Sequence, residues 1–152
     1  MSNQGKWAIV TGGSRGLGFE TAKSLRAQGH QIVLVAKDKD RLVEAASQLD
    51  CEYRAVDLAD LDAAKKAFEE MLESFGTPEI LVLAHGVMSA KMSKTLKTDN
   101  EEWRRVMAIN LDSVFCAVNT LAAPTANVKI PVSCCAVVKL HRQKKIRCIC
   151  RN

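Results

Sequence analysis

The chain has 152 residues, of which 47% are hydrophobic and 26% charged, and its formal net charge at pH 7 is +5. This composition is typical of one folded domain and excludes a chain that is disordered throughout. The amino terminus does not resemble an export leader, and no apolar run approaches the ~18 residues of a membrane span. We therefore expect no membrane partner and a cytoplasmic location.

The carboxyl end differs in composition from the rest of the chain. Residues 113–152 contain seven Lys and Arg and no acidic residue, four of the six cysteines follow residue 133, and all eight glycines precede residue 87. We predict one domain over residues 1–124 and an atypical basic, cysteine-rich segment over 125–152, which is either disordered or adds one strand. Translation of an unrelated reading frame or of a truncated gene would explain this segment.

Four apolar runs predict four strands, because each run is short and bounded by turn residues. They are KWAIVTGG at 6–13, QIVLVA at 31–36, YRAVDL at 53–58 and EILVLA at 79–84. The last run shows no polar alternation, which indicates a strand buried on both faces of a parallel sheet.

Helical spacing of apolar residues predicts a helix after each strand. The first helix ends at Gly29, the second has Asp38 or Asp40 as its cap, and the third runs from about Asp60 to Gly76. The third should bury Leu61, Ala64, Phe68, Leu72 and Phe75. Thr98 and Glu101 have the spacing of a capping box, which predicts a long helix from there to a stop near Pro124.

Four alternations of strand and helix with short connections predict right-handed crossovers and a mostly parallel sheet. The fold class is therefore α/β, a doubly wound parallel sheet truncated after about the fourth or fifth strand. Either VKIPVS at 128–133 or CCAVVKL at 134–140 could supply a fifth strand, although Pro131 disfavours the first. With nothing added, the fourth strand would keep an open edge and the long helix an uncovered apolar face.

The stretch TGGSRGLG, Thr11 to Gly18, connects the first strand to the first helix. Gly12 permits the tight turn, Gly16 lets the backbone approach a pyrophosphate, and Gly18 lets the helix pack closely. Free N–H groups at the start of a helix attract an anion. This loop also lies where open α/β sheets bind their ligands, so the sequence predicts a phosphate site here.

The pattern Thr11-Gly-x-x-x-Gly-x-Gly18 resembles the cofactor loop of the short-chain dehydrogenase/reductase family, whose fold is Rossmann-like. Asp57 in VDL, Gly86 after the fourth strand and Asn110 in INL match further positions of that family. The resemblance implies an oxidoreductase that transfers hydride between a dinucleotide and a carbonyl or alcohol, with Asn110 as a catalytic residue. The implied cofactor-binding residues are Gly12, Ser14, Arg15, Gly16, Leu17, Gly18, Lys37, Asp57, Leu58, Ala84 and Gly86.

The charges near the second strand bear on the choice of cofactor. An acid at the end of this strand accepts from the ribose 2′-hydroxyl of NAD, whereas the 2′-phosphate of NADP needs cations. Lys37 follows the strand and Arg15 lies in the glycine loop, a pair that resembles the basic residues of NADP-preferring members. Asp38 is the opposing feature, because a carboxylate at the ribose favours NAD. We expect NADP, with NAD as the second choice.

The proton donor of the family is a Tyr followed four residues later by a Lys, beside a Ser that orients the substrate. The single tyrosine, Tyr53, has Asp57 at that distance, and the family's spacing places the Tyr-x-x-x-Lys at the end of the 152 residues or beyond. Ser133 comes too early to match the orienting Ser. We expect a chain that binds NADP(H) and is inactive alone, with an unknown substrate, unless a second chain supplies the Tyr and Lys.

Other features receive less weight. Leu83-Ala84-His85-Gly86 stands where the family usually has Asn-Asn-Ala-Gly, and His85 is a candidate substitute acid. The cysteines and His141 of the tail lack the spacers of structural zinc sites, so we expect no metal. The basic tail has no interleaved aromatics, which disfavours nucleic acid. The alternative function is non-enzymatic: binding of a protein partner or nucleic acid through the long helix and tail, including an oligomer through that helix.

Overall fold

A computed structural model describes residues 6–89 and 98–122, and the backbone of residues 133–136. The strands are β1 Trp7–Thr11, β2 Gln31–Ala36, β3 Glu52–Ala55, β4 Ile80–Leu83 and β5 Ser133–Ala136. The helices are α1 Gly16–Ala27, α2 Lys39–Leu49, α3 Leu61–Phe75, α4 Asn100–Met107 and α5 Ser113–Leu121. All neighbouring strands are parallel in the order β3-β2-β1-β4-β5, which confirms the predicted α/β doubly wound sheet.

The core has two layers, one on each face of the sheet. Ala8 and Val10 of β1 pack with residues of α1 and α2, whereas Ile9 between them packs with residues of α3 and α5. Both faces of the central strands are therefore covered by helices, which explains why their sequences are continuously apolar.

Three helices begin at an aspartate that accepts a backbone hydrogen bond. Asp38 accepts from the Arg41 amide at 3.2 Å, Asp60 from the Ala63 amide at 3.0 Å, and Asp99 from the Glu102 amide at 2.8 Å. The predicted capping box at Thr98 and Glu101 is wrong by one residue, because the carboxylate of Asp99 is the acceptor. The N-cap of α1 is Arg15, which makes no side-chain cap hydrogen bond.

The long helix predicted after residue 98 is present from Asn100 to Leu121, but it contains a π-helical turn. A π-helical turn at Ala108–Asp112 separates α4 from α5, and Asn110 lies inside that turn. Leu61 is also misplaced by the sequence analysis: it is exposed, because it opens α3, while Ala64 and Phe68 are buried. β3 ends at Ala55, so Asp57 follows the strand instead of ending it.

β5 lies across the two segments proposed for a fifth strand and pairs with β4 from Ile80↔Ser133 to Leu83↔Ala136. The expected open edge at β4 is therefore covered by backbone pairing. Pro124 and the rest of 125–152 lie outside the described residues, so the boundary between the domain and its tail stays a prediction. Within the described part of the chain, no helix has both the length and the apolar content needed to cross a membrane.

Candidate functional site

A cavity of about 790 Å³ opens at the carboxyl ends of β1, β2 and β4. The strand order reverses at β1, which separates β2 from β4, and open α/β sheets bind ligands at such a point. Every residue assigned above to the cofactor lines this cavity: Gly12, Ser14, Arg15, Gly16, Leu17, Gly18, Lys37, Asp57, Leu58, Ala84 and Gly86. The structure thus brings together four segments that are far apart in sequence.

The glycine loop is packed so closely that two of its glycines exclude any side chain. A Cβ on Gly12, whose φ is +66°, would lie 2.7 Å from the carbonyl oxygen of Ala84. A Cβ on Gly18 would lie 2.3 Å from the carbonyl oxygen of Gly12, so Gly18 packs helix α1 onto the loop itself. Gly16 has φ +59°, and no heavy atom lies within 4 Å of its Cβ position. Gly16 lines the cavity, so its backbone is open to a ligand.

The amino end of α1, which is the positive end of the helix dipole, lies at this loop. Unlike α2, α3 and α4, it has no side-chain cap, and no acid lies in its first turn. Helix amides without a side-chain acceptor, together with the positive helix dipole, make a favourable environment for a phosphate. Arg15, the N-cap residue, adds a formal positive charge at the same position.

Lys37 and Asp57 form an ion pair across one end of the cavity. The Lys37 Nζ is 2.6 Å from Asp57 Oδ2, and the Ala59 amide donates to Asp57 Oδ1 at 3.0 Å. The hydrogen bonds from Lys37 and the Ala59 amide hold the pKa of Asp57 below its ordinary value. Asp57 is therefore ionised at neutral pH and available as an acceptor.

Arg41 is a basic residue of the cavity that the sequence analysis missed. Its backbone N–H and its Nε, at 3.2 and 3.3 Å, contact the two carboxylate oxygens of Asp38. A second cavity of about 490 Å³ between α1 and α2 shares Arg15 and Arg41 with the first. The available signal was spacing: Arg41 follows Lys37 by four residues at the start of a predicted helix.

The loop after β4 forms the opposite wall and is held by side chains. The Val87 amide donates to Asn110 Oδ1, and Asn110 Nδ2 donates to the Val87 carbonyl, both at 2.8 Å. Asn110 does not line the cavity, whereas its neighbour Ile109 does. These contacts join Asn110 to the loop, and its predicted catalytic role stays a prediction.

Tyr53 and Ser133, which the sequence analysis sets aside as catalytic residues, lie away from the cavity, whereas His85, the candidate substitute acid, lines it. Tyr53 lies in β3 opposite Leu34 and packs, partly buried, on the layer of α1 and α2. Ser133 begins β5, at the amino end of the sheet, whereas the cavity is at the carboxyl end. Among residues 6–89 and 98–122, no group of His, Cys, Asp and Glu could hold a metal ion; His141, Cys148 and Cys150 lie outside the described residues.

Comparison with known proteins gives concordant results. A family model described as short chain dehydrogenase matches residues 6–129. The chain is 30% identical over 113 residues to galactitol 2-dehydrogenase (L-tagatose-forming) of Cereibacter sphaeroides, covering 74% of this chain and 44% of the relative. It is 31% identical over 116 residues to an NADP-dependent (R)-specific alcohol dehydrogenase of Lentilactobacillus kefiri, covering 74% and 45%.

Among solved structures, L-sorbose reductase from Gluconobacter frateurii, complexed with NADPH and L-sorbose, superimposes with a TM-score of 0.73. The two chains are 30% identical, and the match covers 78% of this chain and 47% of the reductase. The chain spans about half the length of the curated relatives that it matches.

Proposed function

The chain belongs to the short-chain dehydrogenase family of oxidoreductases, and on that premise we propose that its described residues form an NADP(H)-binding site. One observation carries the proposal: all the residues implied by the family resemblance meet in one cavity, at the uncapped amino end of α1. The close approach of Gly18 to Gly12 supports it further, because this packing presents backbone amides instead of side chains to a ligand.

Each part of the cavity suits a different part of the cofactor. The loop Gly12–Gly18 and the start of α1 would hold the diphosphate, and Arg15 and Lys37 the 2′-phosphate. Asp57 and Leu58 would contact the adenine, and Ala84 and Gly86 would lie on the nicotinamide side. When bound, NADP(H) supplies the hydride, while the residues of this chain bind and orient it.

The contacts of Asp38 support NADP over NAD. Both of its carboxylate oxygens are engaged by Arg41, so the acid that would favour the ribose of NAD is neutralised locally. Arg41 and Arg15 both line the two cavities. Arg15, Lys37 and Arg41 all line the larger cavity, where Lys37 is paired with Asp57 and Arg41 with Asp38. Arg15 therefore leaves a net positive charge that favours a 2′-phosphate, and the two paired cations supply further hydrogen-bond donors.

Titration with NADPH and NADH, followed by cofactor fluorescence, tests this proposal. Arg15→Ala or Lys37→Ala should weaken NADPH binding about 10- to 100-fold, because a hydrogen bond to a charged group contributes about 1.5–3 kcal/mol. NADH binding should change little. Lys39→Ala is the matched control, since Lys39 is an exposed neighbouring cation that does not line the cavity. Equal losses for both cofactors, or for the control, would contradict a 2′-phosphate site.

We further propose that these 152 residues bind NADP(H) without reducing a carbonyl. They contain no Tyr-x-x-x-Lys, Tyr53 packs against the core, and His85 has both ring nitrogens bound to hydroxyls. Adenosine 2′,5′-bisphosphate should then bind nearly as tightly as NADPH. NADPH-dependent carbonyl reduction by the purified chain would overturn this part of the proposal. Turnover restored only by a second chain would instead indicate that the partner supplies the Tyr and Lys.

A second candidate function is contact with another protein chain. Trp103, Leu111 and Phe115 are 56%, 54% and 70% exposed along α4, the π turn and α5. Exposed apolar side chains of this size often mark an interface, and a second copy could bury the same face about a twofold axis. Sedimentation of the parent and of Phe115→Asp tests this: a dimer lost on substitution supports it, and a monomeric parent contradicts it. A cytoplasmic location remains part of the proposal.

A further inference from the structure

His85 lies between β1 and the helical segment that follows residue 98, and each of its ring nitrogens meets a hydroxyl group. Nδ1 is 2.5 Å from Thr11 Oγ1, and Nε2 is 2.7 Å from Ser113 Oγ. Thr11 and Ser113 have no exposed surface. His85 therefore joins the first strand to the first residue of α5 behind the wall of the cavity.

The direction of the hydrogen bonds follows from the acceptor at one end. Ser113 Oγ is 2.6 Å from the Ile109 carbonyl, which can only accept, so the single Ser113 proton is donated there. Ser113 Oγ must then accept from His85, which places a proton on Nε2. In a neutral ring Nδ1 is an acceptor. The Thr11 hydroxyl has two possible acceptors, His85 Nδ1 at 2.5 Å and the Val82 carbonyl oxygen at 3.3 Å, and the shorter contact assigns its proton to Nδ1.

We propose that His85 is a positioning residue of the cofactor cavity: as the neutral Nε2–H tautomer, it joins the loop after β4 to β1 and to the first residue of α5. It acts on the same wall as the pairing of Asn110 with Val87, two residues beyond His85. The wall formed by Ala84, His85 and Gly86 is therefore fixed from two sides.

Burial supports the neutral state of the ring. Desolvation lowers the pKa of His85, while the nearby Ile109 carbonyl opposes this with a smaller effect. Neutral imidazole is thus the main form at pH 7. It can donate through one nitrogen and accept through the other, as the hydroxyl groups of Ser113 and Thr11 require.

The first test needs no substitution in the protein that is measured. Long-range ¹H–¹⁵N spectra of the ¹⁵N-histidine-labelled chain at pH 7 report the tautomer of each ring, and the His85 signals are those absent from His85→Gln. We expect the Nε2–H tautomer for His85. A protonated ring or the Nδ1–H tautomer would overturn the proposal. This result does not depend on cofactor binding, so it stands even if the proposed function fails.

The second test measures NADPH affinity and rests on the proposed function. His85→Leu and Ser113→Ala should each weaken binding about tenfold. The double variant should lose no more affinity than the weaker-binding single variant, because both substitutions break the same hydrogen-bonded network of Thr11, His85 and Ser113. His85→Gln, which can still donate to Ser113, should recover most of the affinity. Ser24→Ala is the control: it removes an exposed hydroxyl that accepts from Gln28, outside the cavity.

Circular dichroism and urea unfolding establish that each variant is folded before its affinity is compared. Additive losses for His85→Leu and Ser113→Ala, or equal losses for His85→Leu and His85→Gln, would overturn the positioning role. Absence of NADPH binding by the parent chain would instead remove the proposed function, and the tautomer measurement would then decide the inference alone.

Discussion

Replacing Gly18 by alanine tests how closely the glycine loop and α1 are packed. The new Cβ would lie 2.3 Å from the Gly12 carbonyl oxygen and 2.8 Å from the Gly12 carbonyl carbon. Because both are backbone atoms, the loop and the helix would have to separate by about 0.7 Å to reach a 3.0 Å contact. Helix propensity alone predicts the opposite sign, since alanine is about 1 kcal/mol more favourable than glycine inside a helix.

The steric effect should exceed the propensity. Overpacking typically costs about 1–3 kcal/mol, and rigid backbone partners place this site at the upper end, so we expect a net loss of about 1–2 kcal/mol. The same separation moves the amides of the first turn of α1. We expect the Kd for NADPH to rise at least tenfold, because a hydrogen bond to a charged group contributes about 1.5–3 kcal/mol.

Urea unfolding and fluorescence titration with NADPH measure the two effects, and Gly29→Ala is the matched control. Gly29, just beyond the other end of α1, has φ +90° and nothing within 4 Å of its Cβ position. Alanine there should lose about 1 kcal/mol through left-handed strain and leave the Kd unchanged. A Gly18→Ala chain that is as stable as the parent and binds NADPH equally well would refute the reasoning.

Three other predictions concern charge and thiol chemistry. Asp38→Ala should lower the free energy of unfolding by about 1 kcal/mol, since it removes a helix cap, without weakening NADPH binding in fluorescence titrations; a weaker complex would mean that the carboxylate contacts the cofactor. The depressed pKa of Asp57 implies stability that is present above its ordinary pKa of 3.8 and lost as the pH falls through the lower folded value. The free energies of unfolding of the parent and of Asp57→Asn, measured in urea, should differ at neutral pH by less than about 1 kcal/mol, because the ion pair is largely exposed. The two values should converge in acid. A difference that persists in acid would contradict the ion pair. Burial raises the pKa of Cys51 to about 11 from 9.0, which lowers the fraction of reactive thiolate at pH 8. Alkylation of Cys51 at pH 8, mapped by mass spectrometry, should therefore be about a hundredfold slower in the folded chain than in urea. Equal rates would contradict this.

Local sequence predicted most of the strands and helices and, with the family resemblance, much of the cavity lining, although it missed Arg41. The strand QIVLVA was predicted to the residue, since a short apolar run bounded by turn residues has few other stable forms. The cofactor residues followed from the resemblance to the family, and they lie together because the carboxyl ends of parallel strands meet at one edge of a sheet. Gly12 and Gly18 occupy fixed positions between a strand and a helix, where only glycine allows the close approach.

Only the tertiary structure decided how the remaining groups are paired. The hydrogen bonds of His85 to Thr11 and to Ser113 join residues that are 74 and 28 positions apart in sequence. No local pattern encodes such contacts, because they exist only after the crossovers bring β1, the loop after β4 and α5 together and water is excluded between them.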